Sequence, residues 1–471
     1  MRLYNSLTKK IDEFKPLRSD SITIYSCGPT VYDHLHIGNL RAFVVADTLR
    51  RAINLDVSAA KIKHVMNITD VDDKTIRRSR EEHPNLDPSE ALAKLTKHYE
   101  KVFINDMQRI SNDTDFLTLT RATDAANIKA MQDLIGQLYD DGVAYLADDG
   151  IYFSIEKYQQ RNKKYGQLSE VSASNTSRAR IANDEYDKDS VHDFALWKAQ
   201  KDNEPAWDFE IGGKEIKGRP GWHIECSAMS QRLLGTPFDI HTAGVDLKFP
   251  HNENEIAQST ALSREDTFAH FFVHNEHILV DGQKMAKSLG NFITLDEIVK
   301  RGYDPLALRL LFLQAHYRSQ MNFTWNSLSA AQAFLKRLQA WADLKLQPYL
   351  GHKDQTGDAY SQALDEIVND IKNDLDTSQA LAELSSLVAL SEQEGIDPLK
   401  LQTLLEAVDK LFSLKLSERQ DIDDSLKSLI SDREKARKNK DWEGADKLRQ
   451  QLADLGIEIN DTPHGPVWSR A

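Results

Sequence analysis

The 471 residues are 40% hydrophobic and 28% charged, with a formal net charge of -14. Such a length implies roughly two to four domains with room for a sizeable core, and the acidic balance argues against a chain that binds a polyanion over its whole surface. No run of about 18 apolar residues occurs, and the opening M-R-L-Y-N-S-L-T-K-K lacks the apolar stretch of a secretory signal, so a cytoplasmic protein with no membrane partner is expected.

The first readable element is Ile22-Thr23-Ile24-Tyr25, a β-branched run that predicts a short buried strand. Cys27-Gly28-Pro29-Thr30 breaks it, and Leu40, Phe43, Val44, Val45 and Leu49 then recur at helical spacing. His34, His36, Gly38 and Asn39 fall where that helix begins. Imidazole donors and free backbone N–H groups there meet the positive end of a helix dipole, a setting that suits phosphate but is by itself as readily a polar cap. Lys61 to Ile68 predicts a second strand, and strand, helix, strand opens a parallel α/β sheet. Residues Asp87 to Leu138 carry helical patterning. From about Asp140 to Gly218 apolar periodicity fades while Asp, Lys, Asn and Ser accumulate, which reads as an insertion. A second α/β half follows: a strand at Phe238 to His241, a helix from His251 to Leu262, and strands at Phe271 to Val273 and Ile278 to Val280.

Beyond about Ser327 the pattern is helical, with Phe334, Leu338 and Trp341 on one face and Leu381, Leu384, Leu387 and Val388 on another. Polar linkers at 351–357 and 417–424 divide this region. A last helix from Trp442 to Leu455 stops at Gly456. Ile457-Glu458-Ile459, a turn at Asp461 to Gly465, and Val467-Trp468 then predict a small hairpin.

Two lysines in Lys284-Met285-Ala286-Lys287-Ser288 stand three apart on a Gly-punctuated loop, where two ammonium groups can meet a developing pyrophosphate. H-I-G-N near the start and K-M-A-K-S after the second half of an interrupted α/β sheet resemble the two signatures of class I aminoacyl-tRNA synthetases. C-G-P-T-V-Y-D, R-P-G-W-H-I-E-C-S-A-M-S, F-P-H-N-E-N-E-I-A-Q-S and the terminal D-T-P-H-G-P-V-W closely resemble the cysteinyl-tRNA synthetase family, in family order over nearly the whole chain. Asn39, Ala286 and Asn252 depart from its commonest pattern, replacing a His, a Ser and a His, and altered rates are expected from them rather than lost function.

The resemblance implies a Rossmann-like α/β catalytic domain with an insertion, an all-α helical bundle and a small C-terminal α+β anticodon module. The expected segments are 1–125 and 221–283 for the two catalytic halves, 126–220 for the insertion, 284–326 for the lysine loop and stem-contact region, 327–416 for the bundle and 417–471 for the module. The two cysteines alone read as buried inert thiols; with the resemblance, Cys27, Cys226, His251 and Glu255 become a four-ligand Zn²⁺ set, His251 and Glu255 sharing a helix face. Thr69, Trp222, His241 and Asp246 match positions that bind L-cysteine, His34, His36, Gly38, Asn39, Lys284 and Lys287 positions that bind ATP with Mg²⁺, and His36, Lys284 and Lys287 the catalytic groups. Arg437, Lys438 and Trp468 are the expected contacts to tRNA(Cys), with Trp442 weighed equally as core or contact. The implied reaction charges tRNA(Cys) with cysteine through cysteinyl adenylate, in a chain expected to be monomeric. The rivals are an enzyme that joins activated cysteine to an amino sugar, which lacks the full C-terminal part, and a noncatalytic zinc-containing RNA-binding protein, which needs neither signature.

Overall fold

A parallel sheet of five strands organises the N-terminal part, in the spatial order Ala269–Asn275, Phe238–Gly244, Ser21–Ser26, Lys61–Ile68, Leu117–Arg121. Every neighbouring pair is parallel. The computed structural model describes residues 1–56, 60–169, 176–181, 191–286, 289–347, 357–462 and 465–470. It divides into two units, residues 1–297 with 317–322 and residues 298–316 with 323–471. In chain order the sheet grows from Ser21–Ser26 towards Leu117–Arg121, then returns to the other side for its last two strands. The reversal falls between Ser21–Ser26 and Phe238–Gly244, and such sheets open a ligand crevice at the carboxyl ends of the strands there. Cys27 follows one of those strands and Val245-Asp246 the other.

Three expectations need correction. The stretch from Asp87 to Leu138 is not helical throughout: strand Leu117–Arg121 separates helices Pro88–Arg109 and Ala125–Asp140. Leu117-Thr118-Leu119-Thr120 alternates with period two, the signature of a strand with two different faces. The insertion is not poor in core. Strands Ala144–Ala147, Gly150–Phe153, Val191–Ala199 and Gly218–Pro220 pair antiparallel around buried Ile151, Phe153, Phe194, Leu196 and Trp197, with the rings of Phe153 and Phe194 stacked at 5.0 Å. Phe194-Ala195-Leu196-Trp197 is buried throughout, so it shows a continuous apolar run where alternation was sought. The helix expected from His251 to Leu262 is Glu253–Thr260, preceded by a wide turn over Lys248–Asn252.

The second unit is mainly helical. Leu338 and Trp341 of helix Trp325–Asp343 are buried together with Leu335, whereas Phe334, expected on that face, is only half-buried; Leu381, Leu384, Leu387 and Val388 of Thr377–Glu394 are buried. Residues 351–356 of the first expected linker lie outside the described residues. At the end, helices Asp424–Lys438 and Trp442–Asp454 precede a hairpin of Ile457–Thr462 and Gly465–Arg470. Gly456 takes φ +77°, where a side chain would be strained, and lets the chain leave the helix straight into the hairpin. Buried Asp343 anchors this end: Arg419 reaches it at 2.6 Å and Arg470 at 3.0 Å. Among the described residues no helix is long and apolar enough to cross a membrane.

Candidate active site

At the reversal of the sheet the structure brings Cys27, Cys226, His251 and Glu255 together, with one ligand atom from each within 4.8 Å of the others. Cys27 directly follows strand Ser21–Ser26, Cys226 sits on helix Trp222–Leu234, and the other two flank the start of Glu253–Thr260. All but Cys27 are buried. Burial pushes the Cys27 thiol up; burial acts likewise on Cys226, but the hydrogen bond from Cys27 and the nearby His251 outweigh it and hold that thiol at about 6. Burial also opposes the charge on Glu255, yet His241 and His251 keep it below the usual carboxylate value. A thiolate, a second thiol, an imidazole and a carboxylate at this spacing fit a borderline-soft divalent cation such as zinc.

The surrounding groups fix these ligands. His251 Nδ1 lies 2.9 Å from His223 Nδ1, leaving Nε2 for the cluster, 3.1 Å from Glu255 Oε1. The Trp222 ring stacks on His251 at 4.3 Å. Asn252 Nδ2 donates to Glu255 Oε1 at 2.8 Å and to Cys27 Sγ at 3.7 Å, while its Oδ1 meets His274 Nε2 at 3.0 Å. The position that departs from the commonest signature is therefore engaged with two candidate ligands. His241, expected to line the cysteine pocket, is fully enclosed, its Nε2 2.9 Å from Glu255 Oε2. It stands behind the carboxylate rather than on an open wall. Thr69 is also buried, donating to Glu225 Oε2 at 2.8 Å, whereas Trp222 is half-buried and Asp246 exposed. Glu225, which sequence reasoning passed over, has its other oxygen without a partner among the described residues, and burial pushes its carboxyl well up. A charged residue inside the buried run His223-Ile224-Glu225-Cys226 was the available signal.

The two signature loops lie side by side. Helix Ile37–Asp56 starts directly after His36, and Ile37 N donates to Ile293 O at 2.9 Å. The His36 ring meets Phe292 edge-on at 5.2 Å, and a Cβ on Gly38 would stand 3.7 Å from Met285 Cε and 2.9 Å from the His36 ring. His36 and Asn39 cap the helix reciprocally: Asn39 N donates to His36 Nδ1 at 3.2 Å, and His36 N donates to Asn39 Oδ1 at 3.3 Å. His36 Nε2 and Asn39 Nδ2 take no part in these two cap hydrogen bonds. His34 is half-buried, edge-on to Tyr99 at 5.7 Å. Lys284 is exposed; Asn291 spans its loop, donating to Lys284 O at 3.1 Å and accepting from Ala286 N at 2.8 Å. Lys287 lies outside the described residues.

The model of the class I (C) tRNA synthetase catalytic domain matches residues 13–333, and that of the cysteinyl-tRNA ligase anticodon binding domain matches 419–468. The chain belongs to the cysteine–tRNA ligase family. It is 38% identical to the cysteine–tRNA ligase of Leptospira interrogans over 491 residues, covering 100% of this chain and 99% of the relative. With the Brachyspira hyodysenteriae ligase identity is 39%, over 99% of this chain and 98% of the other. Among solved structures, the Agrobacterium radiobacter LeuRS–tRNA–LeuAMS ternary complex matches with a TM-score of 0.61 at 11% identity, over 86% of this chain and 85% of that one. Mycobacterium tuberculosis methionyl-tRNA synthetase in complex with methionyl-adenylate gives a TM-score of 0.59 at 11% identity, over 84% and 91%. These likenesses show the Rossmann-like class I fold. As a cysteine–tRNA ligase family member the chain is a class I ligase whose relatives aminoacylate tRNA with cysteine.

In the family's anticodon module one expectation is reversed. Trp468 is 6% exposed, packed with Ile422, Leu452, Ile457 and Ile459, while Trp442 is 60% exposed. The hairpin pairs Ile459 with Trp468, which turns the indole to the buried face. Arg433 and Arg437 both reach Asp461, at 2.8 and 2.6 Å, so part of the basic cluster holds the module together. Lys438, Lys440, Lys447 and Arg449 are exposed.

Proposed function

We propose that the chain activates L-cysteine with ATP to cysteinyl adenylate and transfers it to the 3′ end of tRNA(Cys), in the cytoplasm, selecting cysteine through a zinc–thiolate bond. The observation that carries this reading is the convergence of Cys27, Cys226, His251 and Glu255 at the reversal of the sheet. Cys27, Cys226, His251 Nε2 and Glu255 would hold the metal. Bound there, zinc would supply a soft-sulfur acceptor that favours a thiolate over the serine hydroxyl, so discrimination needs no editing domain.

The remaining work falls to the chain's own groups. Trp222, stacked on His251, and the exposed Asp246, whose charge acts on His251, orient the amino acid, with Thr69 held by Glu225. His36 and Asn39, fixed by their reciprocal cap, donate to ATP phosphates at the positive end of a 20-residue helix. Lys284 and Lys287 stabilise charge developing on pyrophosphate, with ATP arriving as its Mg²⁺ complex, while the cysteine carboxylate attacks the α-phosphorus in line. No protein nucleophile is needed. In the anticodon module Lys438, Lys440 and the exposed Trp442 meet unstacked loop bases.

Cysteine-dependent ATP–pyrophosphate exchange, followed by charging of tRNA(Cys), tests the reaction. Metal analysis tests the selection: about one zinc per chain is expected, and Cys226→Ser should reduce both the zinc content and the preference for cysteine over serine. Unchanged zinc and unchanged preference in that variant would sink metal-based selection.

A further inference from the structure

Asn252 stands where the commonest pattern of the family carries a histidine, and its contacts reach beyond the four grouped side chains. We propose that Asn252 is a positioning residue for the metal cluster: its carboxamide holds Glu255 and Cys27 at once, and a relay running back to Ser6 fixes which way it points. The proposal rests on the metal-based selection given above and names what, in this chain, holds two of the ligands ready.

Hydrogen-bond polarity decides the orientation. Asn252 is fully buried, with both ends of its amide engaged by protein groups. Glu255 is kept ionised by His241 and His251, and an ionised carboxylate only accepts. The amide therefore turns Nδ2 to Glu255 Oε1, 2.8 Å away, and Oδ1 to His274 Nε2, 3.0 Å away. Oδ1 requires an N–H on that ring nitrogen. Burial keeps His274 neutral, so its one proton is on Nε2, and Nδ1 accepts from Ser6 Oγ at 2.8 Å. Ser6 is tied in turn to the edge strand Ala269–Asn275, its N donating to Phe272 O at 2.9 Å. Ser6, His274, Asn252 and Glu255 thus form a one-way chain of donors, and all four are buried.

The second amide hydrogen carries the consequence. Besides Glu255, Nδ2 donates to Cys27 Sγ at 3.7 Å. A neutral histidine that accepted from His274 on one ring nitrogen would have a single N–H left, enough for the carboxylate or the sulfur but not for both. The asparagine supplies one donor more. Donors aimed at a carboxylate and a thiol favour their charged forms, the forms that bind a metal, and hold both ligand atoms in place.

The test reads the metal apart from catalysis. On the full chain, zinc affinity is measured by chelator competition without substrates, and the thiolate-to-metal absorption is followed after loading with Co²⁺. Asn252→Leu keeps the approximate size and removes both donors, and its zinc affinity should fall about 10- to 100-fold, with a shifted cobalt absorption. Asn252→His, which restores one donor, should fall in between. Ser6→Ala leaves every ligand and the amide in place; it should weaken zinc by a smaller factor, and it decides the matter if Asn252→Leu does not fold. Asn252→Leu or Ser6→Ala protein that holds zinc as tightly as the parent would overturn the role. So would a lowered melting temperature with zinc affinity and cobalt absorption unchanged, which marks packing alone. Either result leaves the metal-based selection standing, whereas a parent that binds no zinc would overturn both.

Discussion

Replacing Asn39 by Asp should move stability and rate in opposite directions. In the structure Asn39 Oδ1 accepts from His36 N at 3.3 Å, closing one half of the cap of a 20-residue helix. A carboxylate keeps that acceptor and places negative charge at the positive end of the helix, a gain of about 0.3–1 kcal/mol. The second carboxylate oxygen then takes the place of the Nδ2 donor. A unit negative charge about 4 Å from a phosphate oxygen, at an effective dielectric constant near 20, costs about 4 kcal/mol, on the order of 10³-fold in rate. Asn39→Asp should therefore melt at or slightly above the parent temperature while its ATP–pyrophosphate exchange falls on the order of 10³-fold. Asn39→Ala loses both functions of the amide: about 1 kcal/mol of stability from the cap and on the order of 10²-fold in exchange. The comparison needs only thermal denaturation and initial rates at saturating cysteine. An Asn39→Asp protein that is clearly less stable than the parent, or that exchanges within tenfold of it, would refute the assigned division between capping and phosphate contact.

Lys287→Ala should slow exchange on the order of 10²-fold with little change in cysteine affinity; equal losses of ATP affinity and rate would mark Lys287 as a ground-state binding residue. In the anticodon module Trp442→Ala should weaken tRNA charging and leave the melting temperature nearly unchanged, whereas Trp468→Ala should destabilise the module by about 3–5 kcal/mol, as read by differential scanning calorimetry. The opposite pattern would return Trp468 to the RNA-facing role. Burial pushes the Asp70 carboxyl up to about 6 from an ordinary value of 3.8, so between these values the folded state holds more protons than the unfolded one. Its contribution is fully present below the unfolded pKa and is lost as pH rises towards 6. Denaturant titrations of Asp70→Asn should show a shallower fall in stability over that window than the parent, and parallel profiles would contradict the shift.

What the sequence made legible was short-range. The β-branched run at Ile22 to Tyr25 and the helical recurrence from Leu40 to Leu49 locate a strand and a helix because each burial pattern spans only a few residues. Cys226 illustrates the limit: with its ligand partners 25 and more residues away, or on the far side of the insertion, no local period announces the cluster, and only the family's strings grouped the four residues. The insertion was legible as a segment but its core was not, because Phe194 to Trp197, enclosed on every side, carries no alternation. Trp468 was lost by one step of register. A turn over Asp461 to Gly465 counts outward to oppose Ile459 to Val467, whereas Thr462 pairs with Gly465, so Ile459 faces Trp468 and the indole shares the buried face of its apolar partner. Composition misled instead, because Arg433 and Arg437 count as surface charge until Asp461 is seen between the helix and the hairpin.

The pairing of Cys27 with Cys226 in one cluster also has a bearing on the protein's own supply. These are the chain's only two cysteines, and both stand among the four grouped side chains. Translating these 471 residues therefore draws on cysteinyl-tRNA twice. When free cysteine is scarce, ribosomes reading this stretch meet that shortage at two codons, and each copy made refills the pool that every other message depends on. The demand cannot fall to zero, since each of the two residues is a candidate ligand of the cluster that would choose the amino acid.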